Sequence, residues 1–379
     1  MKTTDFMREH ENWRELLSKA PYFISFDEDD NFVLLKYDQI RSDFSEPIVR
    51  ECRGLIVDKN TYKPVALSFY KFFNVQEPNA DTIDWNSAVV QEKVDGSKIL
   101  VWFDGYEYAW RISTSGCLNA SRANVGDLGV NFKDLFVEAF GLETFRLLTN
   151  WDITAIRNCF TFELVSPLTR VVVPYEKTEV YLIGIRDMLT LEEINPDYVP
   201  ISSNIKRPRQ FPLNTLEDCL KATEQMGYDQ EGFVVVDKNW HRVKIKSPAY
   251  VAAHHLKNNG AVSRKRILEI IEQGEQDEFL GYFPEYKKYF DEIKELEKAL
   301  SEEIVTATGE IEYKKMFKRK PNSRKEIALF IMSNYKRIAP LLFKYLDAKC
   351  KIEAIADTWK SLSIDKKLEY LDRYKGEEK

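Results

Sequence analysis

Cysteine is scarce in this chain of 379 residues: five, an odd number, at positions 52, 117, 159, 219 and 350. None belongs to a Cys-x-x-Cys pair, which argues against a zinc site and a disulfide framework and points to a reducing cytoplasm. Histidine is scarcer, with four residues. The adjacent pair His254-His255 reads as polar surface, because neighbours on a helix do not face one ion. No apolar run reaches the length of a membrane span, and the opening MKTTDFMREHENWRELL interleaves charge with apolar residues instead of forming a secretory leader. Repeats and low-complexity tracts are missing as well. Nor is there a surplus of positive charge: the net charge is -6, so any phosphate contact has to come from local clusters.

What is present is a chain 44% hydrophobic and 13% aromatic, long enough for one large domain and a smaller one. Residues 5 to 18, with Phe6, Trp13, Leu16 and Leu17 apolar, predict a short helix ended by Pro21. Strand-like runs then dominate to about residue 248: Phe32-Val33-Leu34-Leu35, Leu55-Ile56-Val57, Val171-Val172-Val173, Tyr181-Leu182-Ile183 and Phe233-Val234-Val235-Val236. Helices are expected to interrupt at about 133 to 148 and 215 to 226. After Pro248 the period turns helical, with Ile267, Leu268, Ile270 and Ile271 on one face and Phe290, Ile293, Leu296, Leu300 and Ile304 following at spacings of three and four. A further helix pair is expected around Pro340. The pattern predicts an α+β domain of largely antiparallel sheets over 1–250 and an all-α domain over 251–379.

Chemistry concentrates at Lys93-Val94-Asp95-Gly96. Asp95-Gly96 reads as a hairpin turn between Val89-Val90 and Ile99-Leu100-Val101, holding Lys93 at a pocket wall. A motif this short occurs by chance, and alone it is an ordinary surface turn. Its companions change that reading: Glu163, Glu231, and Lys244 and Lys246, which stand one pleat apart on one side of a strand. An ordinary lysine has a pKa of about 10.4, so roughly one in a few thousand is the neutral amine at pH 7. Nearby cations and partial burial favour that amine, and a shift of about three units would bring it to roughly a quarter. A lysine, acids and further cations converging in this way suit attack on phosphorus.

The ordered segments EKVDGSK (92–98), FTFELV (160–165), VYLIGIRD (180–187), EGFVVV (231–236) and VKIKS (243–247) resemble the motifs of the covalent nucleotidyltransferases, whose ligase domain is ATP-grasp-like. With ECRGLIVD at 51–58, YKFFN at 70–74 and the helical last third, the chain is similar to the phage-type RNA ligase 1 family, an ATP-dependent, tRNA-repairing branch. The resemblance implies that Lys93 becomes a lysyl-adenylate and passes AMP to an RNA 5′-phosphate, which a 3′-hydroxyl then attacks. It implies ATP and Mg²⁺, with Mn²⁺ as a substitute. Tyr37, Arg53, Lys71 and Glu163 would bind ATP, Glu231 would be the second essential acid, and Lys244 and Lys246 would hold the α-phosphate. Asp277 falls at an acidic metal position, with Glu275 and Glu278 as neighbouring alternatives. Tyr181 and the strand around Ile183 are candidates for adenine stacking. Where the family places a cation beside a glycine, this chain has Thr114-Ser115-Gly116, and Arg111 is the nearest basic replacement.

A monomer acting on RNA in the cytoplasm, the host's if phage-encoded, is the expectation, and the basic run from Lys314 to Lys325 is a candidate RNA contact. A capping-type guanylyltransferase or a DNA ligase would share the five segments and follow them with a β-barrel, for which too few strand signals stand after residue 250. A non-catalytic RNA-binding module is the alternative of another class.

Overall fold

Continuous apolar runs become strands buried on both faces, because alternate side chains enter different cores. The computed structural model describes residues 1–125, 129–141, 153–198, 202–255, 263–316 and 324–374. It divides into two compact units, Met1–Lys257 and Asn258–Lys379.

In the first unit the strands are β1 (Ile24–Glu28), β2 (Phe32–Tyr37), β3 (Arg53–Asp58), β4 (Pro64–Ala66), β5 (Phe73–Asn74), β6 (Val89–Glu92), β7 (Ser97–Asp104), β8 (Ala109–Thr114), β9 (Asn158–Val165), β10 (Glu179–Asp187), β11 (Glu193–Ile194), β12 (Ile205–Lys206), β13 (Gln210–Phe211), β14 (Gly232–Val236) and β15 (Arg242–Lys246). They build three sheets: β1-β2-β3-β4; β11-β10-β9-β7-β8 with β12 on β10; and β13-β6-β14-β15-β5. Pairing is antiparallel except for β12 on β10 and β5 on β15.

Four cores fix the layers. Val33, Leu35, Leu55 and Val57 face a core closed by Met7, Trp13 and Leu17 of two N-terminal helices. Their neighbours Phe32, Leu34 and Ile56 meet Leu100 and Trp102 of β7, so the first sheet packs on the second. Ile99, Val101, Phe160 and Phe162 take the opposite face, under helix Phe132–Phe140. In the third sheet Phe233, Val235, Val243 and Ile245 pack with Cys219 of helix Leu216–Glu224. That leaves Val234, Lys244 and Lys246 to face the other way.

Asp95-Gly96 is not a hairpin turn. Strand β6 pairs with β13 and β14, whereas β7 pairs with β8 and β9, so residues 93 to 96 carry the chain from the third sheet to the second. A two-strand reading of local turn residues misses this, because the pairing partners lie far away in sequence. Gly96 is required by proximity: a Cβ there would sit 2.4 Å from the Leu164 carbonyl oxygen of β9.

Other expectations are corrected too. Residues 5 to 18 are not one helix but two, Lys2–Glu9 and Trp13–Leu17, since His10 is extended (φ −128°, ψ 111°) with its ring stacked on Phe6. Val171-Val172-Val173 forms no strand: the Val172 and Val173 amides donate to Asp95 Oδ2 at 3.0 and 2.8 Å, which removes them from any ladder. The helix expected at 133–148 is Phe132–Phe140, and 142–148 lies outside the described residues.

In the second unit the described residues form helices and short connections without a strand, from Arg264–Gln273 through the long Lys287–Met316 to Ile364–Asp372. Buried Lys367 pairs with Glu272 at 2.6 Å. The basic run's residues 317 to 323 lie outside the described residues.

Gly96→Ala should force β9 away from the crossing and lower stability by about 1–3 kcal/mol, the usual range for overpacking. Urea unfolding of the full chain measures it; an unchanged midpoint would mean that the crossing has slack.

Candidate active site

The crossing between sheets is held at both ends. Lys93 N donates to the Gly232 carbonyl at 2.8 Å, which ties the loop to the start of β14. Gly232 itself has φ +132° and a Cβ position 2.2 Å from the Ile245 carbonyl oxygen, so only glycine lets β14 run this close to β15. Asp95 turns inward and is buried. Besides the two valine amides, its carboxylate accepts the Tyr250 hydroxyl at 2.8 Å, and its own amide donates to the Tyr175 hydroxyl at 3.2 Å. Lys93 is thereby left as the loop's one side chain with a charge to present to the cleft.

Beneath and around it lies a cavity of about 280 Å³. Gln91, Val234, Lys244 and Lys246 come from the third sheet, and Lys98, Glu163 and Ile183 from the second. Lys93 Nζ is 2.7 Å from Glu231 Oε1, and Lys246 Nζ approaches the same oxygen at 3.6 Å. Glu231 is only 5% exposed, yet its Oε2 has no hydrogen-bond partner among the described residues; Arg53 Nη1 is buried in the same condition. Phe72 forms a shared wall, with the Arg53 guanidinium 4.9 Å and the Lys244 ammonium 5.8 Å from its ring centre.

Lys98 and Glu163 face each other across β7 and β9. Burial first, and then the Arg53 charge, holds Lys98 well below the usual ammonium range. Its Nζ donates to the Arg53 carbonyl and to Ser68 Oγ, both at 2.7 Å, two bonds that a neutral amine satisfies in full. Burial also pushes the Glu163 carboxyl up, to about 7; Glu231 adds to the rise while Lys93 and Arg53 oppose it.

The structure thus brings Arg53, Lys93, Glu163, Glu231, Lys244 and Lys246 together. Lys71 lines an adjoining cavity, not that of Lys93, and its ammonium lies 5.4 Å from the ring centre of Tyr37, which lines neither. Asp277 is exposed in the first turn of helix Gln276–Tyr282, in the second unit. Among the described residues no three His, Cys, Asp or Glu side chains are grouped to hold a metal. Of the adenine candidates Ile183 lines the cavity and Tyr181 does not. Arg111 supplies no missing cation: it is held by Asp29 at 2.6 Å and Asp104 at 3.2 Å. The space over Gly116 is filled instead by Lys36, whose Nζ lies 3.0 Å from where a Cβ would stand.

Sequence reasoning missed two features of the site, Lys98 and Arg242. Lys98 stood inside the first motif but was given no part, although its alternation with apolar Ile99 was visible. Arg242, two residues before Lys244 and on the same face, also lines the cavity. Ile183 reaches it through a β-bulge between Leu182 and Gly184, a register shift that sequence does not signal.

A lysine in a cleft of cations, faced by an apolar pair, Ile183 and Val234, defines a site for a phosphorylated, flat-ringed ligand. The chain belongs to the RNA ligase family, whose model matches residues 51–250. It is similar to a provisionally named bifunctional polynucleotide kinase/RNA ligase of Autographa californica nuclear polyhedrosis virus, 31% identical over 68% of this chain and 38% of that protein. An RNA ligase of Rhodothermus phage RM378 is 23% identical over 65% of this chain and 68% of its own. A provisionally named RNA ligase of Thermovibrio ammonificans is 30% identical over 56% and 55%. The chain thus spans well under half of the first relative's length.

Because burial raises Glu163, its ionisation weakens the fold: the penalty is absent below about pH 4.5, grows to about pH 7 and is constant above. Glu163→Gln should therefore raise the melting temperature at pH 8, by up to about 3 kcal/mol of stability, and hardly at pH 5. An equal gain at both pH values would contradict the burial argument.

Proposed function

We propose that this chain is an ATP-dependent RNA ligase joining 5′-phosphate and 3′-hydroxyl ends, with cleaved tRNA its foremost substrate and a monomer its working form. The observation that carries the reading is the convergence of Lys93, Arg53, Lys244 and Lys246 on one cleft with Glu231 against the lysine. In the first step Lys93 Nζ attacks the α-phosphorus of ATP, a P–N bond forms, and the P–O bond to pyrophosphate breaks. Glu231 Oε1, at 2.7 Å, is placed to receive the proton that Nζ loses. AMP then passes to the RNA 5′-phosphate, and the 3′-hydroxyl displaces AMP to close the phosphodiester bond.

Each step is an in-line displacement in which charge spreads over phosphoryl oxygens, so the fixed cations lower the barrier more than proton transfer does. Lys244 and Lys246, on one face of β15, flank the α-phosphate. Arg53, with a buried Nη1 lacking a partner, fits a further phosphate oxygen. Lys71 in the adjoining cavity suits the pyrophosphate end. Adenine fits between Ile183 and Val234, and Glu163 at the cleft floor suits the ribose, donating while protonated and accepting once ionised. Mg²⁺ or Mn²⁺ would supply charge neutralisation at the phosphates; the unpartnered Glu231 Oε2 fits it, and few protein ligands are needed because Mg²⁺ keeps waters. Asp277 remains a further ligand candidate through the resemblance alone.

Incubating the full chain with α-labelled ATP and Mg²⁺ should leave label on the protein through denaturation, and 5′-phosphorylated single-stranded RNA should discharge it as circles form. Lys93→Ala should abolish labelling. Lys244→Ala and Lys246→Ala should each slow it by about 10²–10³. Label from GTP in place of ATP, or none that depends on Lys93, would sink the reading.

A further inference from the structure

Beside the Lys93 cavity, and sharing Phe72 and Arg242 with it, is a larger one of about 670 Å³. Two aromatic rings stand on its wall, Trp240 and Tyr70, the latter 41% exposed. Each is backed by a guanidinium: Arg186 lies 5.1 Å from the Tyr70 ring centre and Arg242 lies 5.4 Å from that of Trp240. A single carboxylate fixes both cations. Glu193 Oε1 accepts from Arg186 at 2.8 Å and Arg242 at 2.9 Å, while Oε2 accepts from Arg242 at 2.5 Å. All three side chains are more than nine-tenths buried. Trp240 is held at φ +65° at the end of the turn between β14 and β15, its amide donating to the Asp237 carbonyl at 3.0 Å.

The same cavity offers cations that the protein leaves without full compensation. Lys71 Nζ has no carboxylate partner among the described residues; it rests over Phe44 at 4.9 Å, with Gln39 Oε1 at 3.4 Å. Arg50 is held at one end, its Nη2 donating to the Asn79 carbonyl at 2.7 Å and lying 4.0 Å from Asp81 Oδ1, while its Nε is buried and lacks a hydrogen-bond partner among the described residues. The acids nearby are engaged: Glu51 accepts from the Thr3 amide and hydroxyl at 2.8 and 2.6 Å, and Asp81 accepts the Arg242 amide at 3.2 Å. Aromatic faces beside unspent positive charge recognise a nucleotide: rings for the base, cations for the phosphate.

In-line displacement supplies the identity of that nucleotide. Nucleophile and leaving group lie on opposite sides of phosphorus, so pyrophosphate leaves from the side opposite Lys93. In the second step Lys93 is the leaving group, and the RNA 5′-phosphate must enter from the side that pyrophosphate vacated. We propose, resting on the ligase reading above, that the larger cavity seats the 5′-terminal nucleotide of the RNA, its phosphate between Lys71 and Arg50 and its base stacked on Tyr70 and Trp240. A 5′-phosphate oxygen forms the new P–O bond, the P–N bond breaks, and Nζ keeps the electron pair and takes back the proton held by Glu231.

The test uses the full chain loaded with labelled AMP and freed of ATP, so that discharge by a 5′-phosphorylated single-stranded oligoribonucleotide is read per adenylated molecule. Tyr70→Ala and Trp240→Ala should each raise the RNA concentration for half-maximal discharge by about tenfold, the usual effect of losing one stacking ring, while Tyr70→Phe and Trp240→Phe retain it. Pyrophosphate should compete with the RNA. A second arm titrates unadenylated protein with a fluorescent 5′-phosphorylated dinucleotide: wild type should bind, the alanine variants about tenfold more weakly, and a 5′-hydroxyl dinucleotide weakly throughout. Unchanged discharge and binding in folded alanine variants, or pyrophosphate that does not compete, overturns the proposal. A wild type that takes no label from ATP refutes the ligase reading, and the binding arm still decides whether the cavity holds a nucleotide.

Discussion

Residues 93 to 96 have to carry the backbone from one sheet to another, and the site exists because they do. From Glu92 to Ser97 the chain can span at most about 17 Å, so an end of the third sheet must lie close to the end of β7. Two glycines permit the approach, Gly96 against the Leu164 carbonyl and Gly232 against that of Ile245. Asp95 then collects two valine amides and the Tyr250 hydroxyl, so the carboxylate that might have faced a cationic ligand is withdrawn into the backbone. Position in the crossing, more than any property of lysine, puts Lys93 between the two walls.

Much of this was legible where chemistry and period coincide. Lys244 and Lys246 alternate with Val243 and Ile245 along β15, and alternation alone assigns both to the face opposite the core. The α+β unit of antiparallel sheets and the helical remainder followed from the change of period near Pro248. The Asp95-Gly96 pair misled because turn residues report local geometry, whereas β6 finds its partner β14 some 140 residues later. For the same reason Val171 to Val173 looked like a strand: its apolar content was right, and the Asp95 carboxylate that took its amides is distant in sequence. Ile183 depends on a bulge, and Lys71, whose amide is held by the Arg50 carbonyl at 2.8 Å, falls outside the Lys93 cavity through a pairing distant in sequence.

The cleft is built against its own comfort. Gathering Arg53, Lys93, Lys98, Lys244 and Lys246 around two carboxylates leaves positive charge in surplus, and burial penalises both signs. The protein answers by moving protons: Lys98 is driven toward the neutral amine and hydrogen-bonded as one, and Glu163 is driven toward the neutral acid. With Lys98 and Glu163 both driven toward neutrality, Arg53, Lys93, Lys244 and Lys246 outnumber the one remaining carboxylate, Glu231, which meets Lys93 at 2.7 Å and Lys246 at 3.6 Å, and the cleft keeps a positive balance fixed in place.

The neighbouring cavity solves the same problem differently. There one Glu193 bridges Arg186 and Arg242 and compensates part of their charge in place, and a hydrogen-bonded buried ion cluster is worth more for the geometry it fixes than for stability. What it fixes are two guanidinium groups, 5.1 Å from the Tyr70 ring centre and 5.4 Å from that of Trp240. A cleft with a net positive balance suits a step in which charge moves; a wall of immobilised rings suits a partner that must be positioned and then released. Arg242 belongs to both cavities, so the strand that carries Lys244 and Lys246 also sets the rings, and the two sites cannot shift independently.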